Sequence, residues 1–191
     1  MDVKRTISTK QLVLVAFFVA LTAIGARLEI PLPYVPFTLQ TFFVLLAGML
    51  LGSRLGALSQ MLYIVIGLIG LPVFARGGGI GYVVQPTFGY IIGFVPAAFI
   101  TGRLIESRLQ VSRRRFVAAS LAGLASVYLL GLLYLWLCTN LILGKELDLF
   151  RTLQVGFLVL LPGALIKVLL AAMVGAEVHR RLVREAHRQE H

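Results

Sequence analysis

The sequence predicts an all-α integral membrane protein of six transmembrane helices, a single membrane domain over residues 1–191. Three observations lead there. Hydrophobic residues make up 59% of the chain and charged residues only 14%, with a mean hydropathy of +0.92. A water-soluble domain averages about 45–50% apolar and about 25% charged residues, so too little polar surface remains here to face water. Charge-free stretches run over 11–26, 30–53, 55–75, 77–102 and 116–144, and 152–176 holds only Lys167. A crossing helix needs about 20 largely apolar residues. Finally, the basic residues between these stretches fall mostly on one side of the topology that results.

In chain order, spans are expected near 9–26, 38–53, 55–72, 86–104, 116–142 and 155–178. The first carries Lys4, Arg5 and Lys10 before its apolar run, like a signal sequence. With five more spans behind it, it reads as an uncleaved anchor and first helix. Ala16 and Ala20, with Ala23 near the same face, allow another helix to approach closely. That helix belongs either to this chain or to a second protein.

Residues 27–37 form the first external segment, with Pro31, Pro33 and Pro36 in six residues. Proline fixes φ and removes a backbone donor, so a stiff, non-helical strap is expected. Ile30, Leu32, Tyr34, Val35 and Phe37 make it greasy. It either covers a ligand or packs at the membrane interface. Residues 77–81, between the third and fourth spans, hold four glycines. Such a turn either lets backbone approach a ligand or merely connects. It is no phosphate loop, because the G-x-x-x-x-G-K-[ST] pattern is absent. The third external segment, 144–151, mixes Lys145, Glu146, Asp148 and Arg151 and reads as solvated surface.

The net charge of +10 raises nucleic acid as a partner, and the placement of the charges removes it. With six spans, thirteen of the eighteen Lys and Arg lie on the side of both termini, among them Arg54, Arg103, Arg113, Arg114 and Arg115. Four lie opposite, at Arg27, Arg76, Lys145 and Arg151. This bias orients both termini toward the cytoplasm. Arg113–Arg115 also suit acidic lipid headgroups. The lone Cys138 excludes an internal disulfide, and His179, His187 and His191 sit in the basic tail without metal-site spacing. No metal site and no catalytic constellation is present, so an enzyme is not expected.

Lys167 stands mid-span, after Pro162 and Gly163, and the one Asp or Glu inside any span is Glu177, ten residues on at the end of the same span. A lysine at a helix centre costs about 2.5–3.5 kcal/mol on insertion scales. Gly163, Lys167, Leu170, Ala171 and Val174 share a face by their spacing. That face suits a cavity wall; the competing reading is snorkelling to the interface. A buried, unpaired cation favours an anionic or strongly hydrogen-bonding ligand.

Several motifs occur in a fixed order: Pro36-Phe37-Thr38-Leu39-Gln40-Thr41, Leu45-Leu46-Ala47-Gly48, Leu51-Gly52-Ser53-Arg54-Leu55-Gly56-Ala57, Gly70-Leu71-Pro72-Val73-Phe74, the glycine turn, Pro86-Thr87-Phe88-Gly89-Tyr90, and Leu161-Pro162-Gly163 with Lys167. Over roughly residues 10–175 this set resembles the BioY family, the biotin-binding S-components of energy-coupling-factor transporters. The resemblance implies an S-component-like six-helix bundle in the prokaryotic cytoplasmic (inner) membrane that captures biotin from outside. It implies as partners a transmembrane coupling subunit and cytoplasmic ATPase subunits, with Ala16 and Ala20 at the interface. This chain carries no nucleotide motif, so no cofactor of its own is expected and ATP is used by the partners. Pro33, Tyr34 and Pro36 then look like the gate, and Lys167, Tyr90, Tyr82, Gln85, Thr87, Asn140, Gly78 and Gly79 like the pocket.

One position departs from the pattern. The family's last-helix motif usually reads Pro-Gly-Asp-x-x-Lys, and Ala164 replaces the aspartate here. The change weakens binding, moves the role to Gln85, Asn140 or a tyrosine, or alters ligand preference. Which end of biotin meets Lys167 does not follow from these residues. An S-component for another vitamin is the alternative, followed by a non-transport membrane subunit or an intramembrane enzyme.

Overall fold

A computed structural model describes residues 7–107 and 111–189, with side chains as far as Arg181. Lys4, Arg5, Arg108 and His191, and the side chains of Arg184, His187 and Arg188, lie outside the described residues.

Helix α1 (Thr9–Arg27) opens with a reciprocal cap: Ser8 accepts from the Gln11 N–H at 3.3 Å, and the Gln11 side chain accepts from the Ser8 N–H at 2.9 Å. It ends where the proline-rich strap begins. Two short strands, β1 (Glu29–Ile30) and β2 (Phe37–Thr38), pair antiparallel with Glu29 opposite Thr38 and Ile30 opposite Phe37. The strap is therefore a small ribbon whose prolines occupy the loop.

Helix α2 (Gln40–Leu68) joins the second and third expected spans in one helical run, starting two residues later and ending four residues earlier than expected. It breaks at Gly52, at φ 81°, ψ 177°, a left-handed conformation open to glycine. Beyond the break the chain returns along itself, because a Cβ on Gly56 would stand 2.9 Å from the Gly48 Cα. Glu106, at the end of α4 (Phe94–Glu106), fastens this turn by accepting from the Ser53 N–H at 2.9 Å and the Ser53 hydroxyl at 2.6 Å. Sequence spacing placed Arg54 between two separate helices. The tight glycine turn with its carboxylate clasp needs no loop at all.

The rest comprises α3 (Phe88–Ile92), α5 (Arg113–Leu137), α6 (Leu149–Leu153) and α7 (Leu161–Gln189). Single π-helical turns follow α5 (Cys138–Ile142) and α6 (Gln154–Leu158). Among the described residues five helical stretches are long and apolar enough to cross a membrane: Thr9–Arg27, Gln40–Leu68, Phe88–Glu106, Arg113–Ile142 and Leu149–Arg181. The last is longer than expected, and Pro162 lies in the first turn of α7, where a missing N–H costs nothing.

α2 packs most extensively on α4 and α1, α5 lies against α3 and α4, and α7 closes against α2 and α5. Small residues fill these seams, including Ala97, Ala98, Ala119, Ala171 and Ala172, while Leu129, Ile166 and Met173 point outward. Lipid tails are as apolar as leucine, so close van der Waals packing selects what goes inside. The lysine face of α7 shifts accordingly. Ala164, Lys167, Val168 and Ala171 face inward, whereas Leu170 and Val174, expected on the cavity wall, face outward.

Candidate ligand-binding site

A cleft opens beneath the strap, where α2, α3, α5 and α7 converge. Its empty space, counted out into the open mouth, is about 570 Å³. Val35, Pro36, Phe37 and Thr38 of the strap roof it. Phe94, Ile91, Leu124, Val127 and Leu160 supply apolar wall, and Tyr82, Tyr90 and Tyr128 supply aromatic wall.

The strap is tied to the loop after α2. The Arg76 guanidinium donates to the Leu32 and Pro33 carbonyls at 3.0 and 3.4 Å, and that of Arg27 donates to the Pro72 carbonyl. An aromatic chain continues beneath: Tyr63 and Phe74 stand 5.4 Å apart edge to face, and Phe74 and Tyr82 stand 4.6 Å apart.

Tyr90 sits in a slot. A Cβ on Gly131 would lie 2.6 Å from its Cγ, and one on Gly156 would lie 2.6 Å from its hydroxyl oxygen. Its hydroxyl donates to the Gly156 carbonyl at 2.9 Å, so its proton is spent inside the protein and its ring lines the cleft. Tyr128 meets the Tyr90 ring edge to face at 6.2 Å. The Thr87 hydroxyl donates to the Tyr82 hydroxyl at 3.3 Å.

Lys167 is 7% exposed. Its Nζ donates to the Thr38 carbonyl at 2.9 Å and lies 4.1 Å from the centre of the Phe37 ring, a cation–π contact. Among the described residues no carboxylate pairs with it. An ammonium carries three donors, so two remain for a ligand. Chemically, the cleft is an apolar and aromatic container with one cation at its wall.

The BioY family model matches residues 1–184. The chain belongs to the BioY family. It is 50% identical over 150 residues to the probable biotin transporter BioY of Lysinibacillus sphaericus, covering 78% of this chain and 76% of that protein. With the biotin transporter BioY of Thermotoga maritima it shares 37% identity over 172 residues, 90% of this chain and 96% of that one. It is also similar to the solved S-component for biotin from an ECF-type ABC transporter. That match has a TM-score of 0.78 at 27% identity and covers 90% of this chain and 91% of that chain.

Of the residues singled out in this BioY-family sequence, Lys167, Tyr82, Thr87, Tyr90 and Pro36 line one cleft. Gln85, Asn140, Gly78, Gly79, Pro33 and Tyr34 are not on its wall. Asn140 instead clasps the loop before α6: its amide donates to the Trp136 and Leu147 carbonyls, and its oxygen accepts from the Leu147 N–H, each at 2.9 Å. The glycine turn approaches the chain's own backbone, with the Gly79 N–H donating to the Gly67 carbonyl at 2.7 Å. Ala164 is buried at 1% exposure and does not line the cleft. Ala16 and Ala20 are exposed on the outer face of α1.

Sequence reasoning passed over Gln40, Thr41 and Tyr128, all on the cleft wall. The available signal was a polar side chain inside an otherwise apolar span, the same signal that marked Lys167.

Proposed function

We propose that this chain is the biotin-capturing S-component of an energy-coupling-factor transporter, an uptake subunit and not an enzyme. The observation that carries the reading is Lys167, a buried cation that no carboxylate pairs with among the described residues, set in the wall of an aromatic cleft in a BioY-family chain. Biotin presents an apolar bicyclic body, a cyclic urea and a carboxylate. A container of this kind with a few placed polar groups suits it. Lys167 holds a polar end of the ligand, Tyr82, Tyr90 and Thr87 flank it, and the strap bearing Pro33, Tyr34 and Pro36 is the gate.

The chain forms one membrane domain with six crossings. A straight helix of 29 residues would be about 44 Å long, well beyond the ~30 Å hydrocarbon core. The reversal at Gly52 supports two crossings for α2 instead. An even number of crossings puts both termini on one side, and the excess of Lys and Arg there makes it cytoplasmic. The outward leucine and isoleucine side chains meet lipid. The exposed Ala16/Ala20 face receives the coupling subunit, and partner ATPases supply the energy, so this chain needs no cofactor.

Calorimetry with the purified protein tests the reading: saturable biotin binding is expected, reduced at least about tenfold in Lys167→Ala, as loss of a charge-assisted hydrogen bond implies. Failure of the parent to bind biotin refutes it. Ala164 favours one second reading, an S-component for another vitamin. Biotin binding by Ala164→Asp alone would select that reading.

A further inference from the structure

The cleft contains a hydrogen-bond line with a fixed direction. The Tyr63 hydroxyl donates its only proton to the Val73 carbonyl at 2.9 Å. It therefore meets Gln40 as an acceptor, taking the Nε2–H at 2.7 Å. The Gln40 Oε1 in turn accepts from the Thr38 hydroxyl at 3.0 Å. Tyr63 is fully buried and Gln40 nearly so. The ends of the Gln40 amide are thus not interchangeable: its oxygen is turned to Thr38, and its nitrogen keeps one N–H that no described residue takes.

Lys167 is tied to the same residue through the Thr38 carbonyl. Gln40 and Lys167 hence flank Thr38 from two helices and line the same cleft, with the Thr41 hydroxyl beside them. The free hydrogens at this corner are two on Lys167, one on Gln40 and that of Thr41. Glu29 faces Thr38 across the strap ribbon, yet it is not on the cleft wall and forms no ion pair with Lys167 among the described residues. Among the described residues no carboxylate lines this corner.

We infer that this corner reads a carboxylate, with Gln40 a specificity-determining contact beside Lys167 and Tyr63 the positioning residue that keeps the Gln40 amide turned N–H outward. A ligand acid fits a corner that offers donors and a cation. Its neutral carboxamide brings its own N–H groups against those donors and leaves the lysine charge unmatched. The inference rests on the biotin reading and adds which end of the molecule is selected, and by what.

The test compares biotin with biotin carboxamide by calorimetry on the full-length protein. The parent is expected to bind the acid at least about tenfold more tightly than the amide, the scale of a lost charge-assisted hydrogen bond. In Tyr63→Phe the Gln40 amide is free to turn over, and the acid-to-amide ratio is expected to fall several-fold. Loss of structure alone would weaken both ligands equally and leave the ratio unchanged. Gln40→Glu, nearly isosteric, places an acid in the corner and is expected to lower the ratio further. Equal affinity for the two ligands in the parent, or an unaltered ratio in both variants, overturns the inference while leaving biotin capture standing. Binding of neither ligand overturns the biotin reading itself, and this inference with it.

Discussion

Replacing Gly131 by alanine drives a methyl group into the ring of Tyr90. An ideal Cβ at residue 131 lies 2.6 Å from the ring Cγ and 2.5 Å from Cε1, whereas relaxed carbon contacts sit near 3.5–4.0 Å. The ring must retreat by about 1 Å. Its hydroxyl is pinned to the Gly156 carbonyl at 2.9 Å, so the ring either breaks that bond or moves into the cleft. Overpacking of this kind costs about 1–3 kcal/mol. In a chain of this size each kcal/mol lowers the melting temperature by about 2–4 °C, giving a fall of roughly 2–12 °C. A ligand that needs the vacated space must push the ring back, so biotin affinity falls by about tenfold for each 1.4 kcal/mol of that strain. The assay pairs thermal unfolding, followed by Trp136 fluorescence, with biotin calorimetry. Leu133→Ala, on the outward face of the same helix at 55% exposure, is the control and should leave the biotin Kd unchanged. A Gly131→Ala protein with the parent's melting temperature and the parent's biotin Kd would refute the slot.

Asn140→Leu removes three hydrogen bonds and leaves the Leu147 N–H and carbonyl unpaired. Because Asn140 is only half-buried, the expected stability loss is about 1–2 kcal/mol, read in a melting curve, with biotin affinity changed less than twofold. A large affinity loss at unchanged stability would place Asn140 in the site after all. Ala16→Leu together with Ala20→Leu adds bulk to an exposed face; co-purification with the coupling subunit should be lost while biotin binding persists. Loss of biotin binding by the folded double variant would show that the two roles are not separate.

Much of this protein was legible without coordinates. The membrane class and the approximate spans follow from composition and the spacing of charges, because lipid excludes charge whatever the tertiary arrangement. Lys167 was conspicuous for the same reason: an unpaired cation in a span must have a use. The proline strap was readable because proline restricts the backbone locally.

What escaped the sequence depends on contacts between distant segments. The join of the second and third spans rests on Gly52 in a left-handed conformation and on Glu106 reaching Ser53 from 53 residues away. The inward face of α7 was misassigned at Leu170 and Val174 because apolar periodicity is uninformative where lipid and interior are equally apolar. Packing chose the alanines instead. Gln40 and Tyr128 came onto the cleft wall only when four helices met around them, and Asn140 became a loop clasp only when Leu147 returned to it. The sequence by itself determined the solvent this chain lives in and the cation it buries. The tertiary structure decided which side chains share that cation's cleft, because small-residue contacts and hydrogen-bond direction exist only once the helices are side by side.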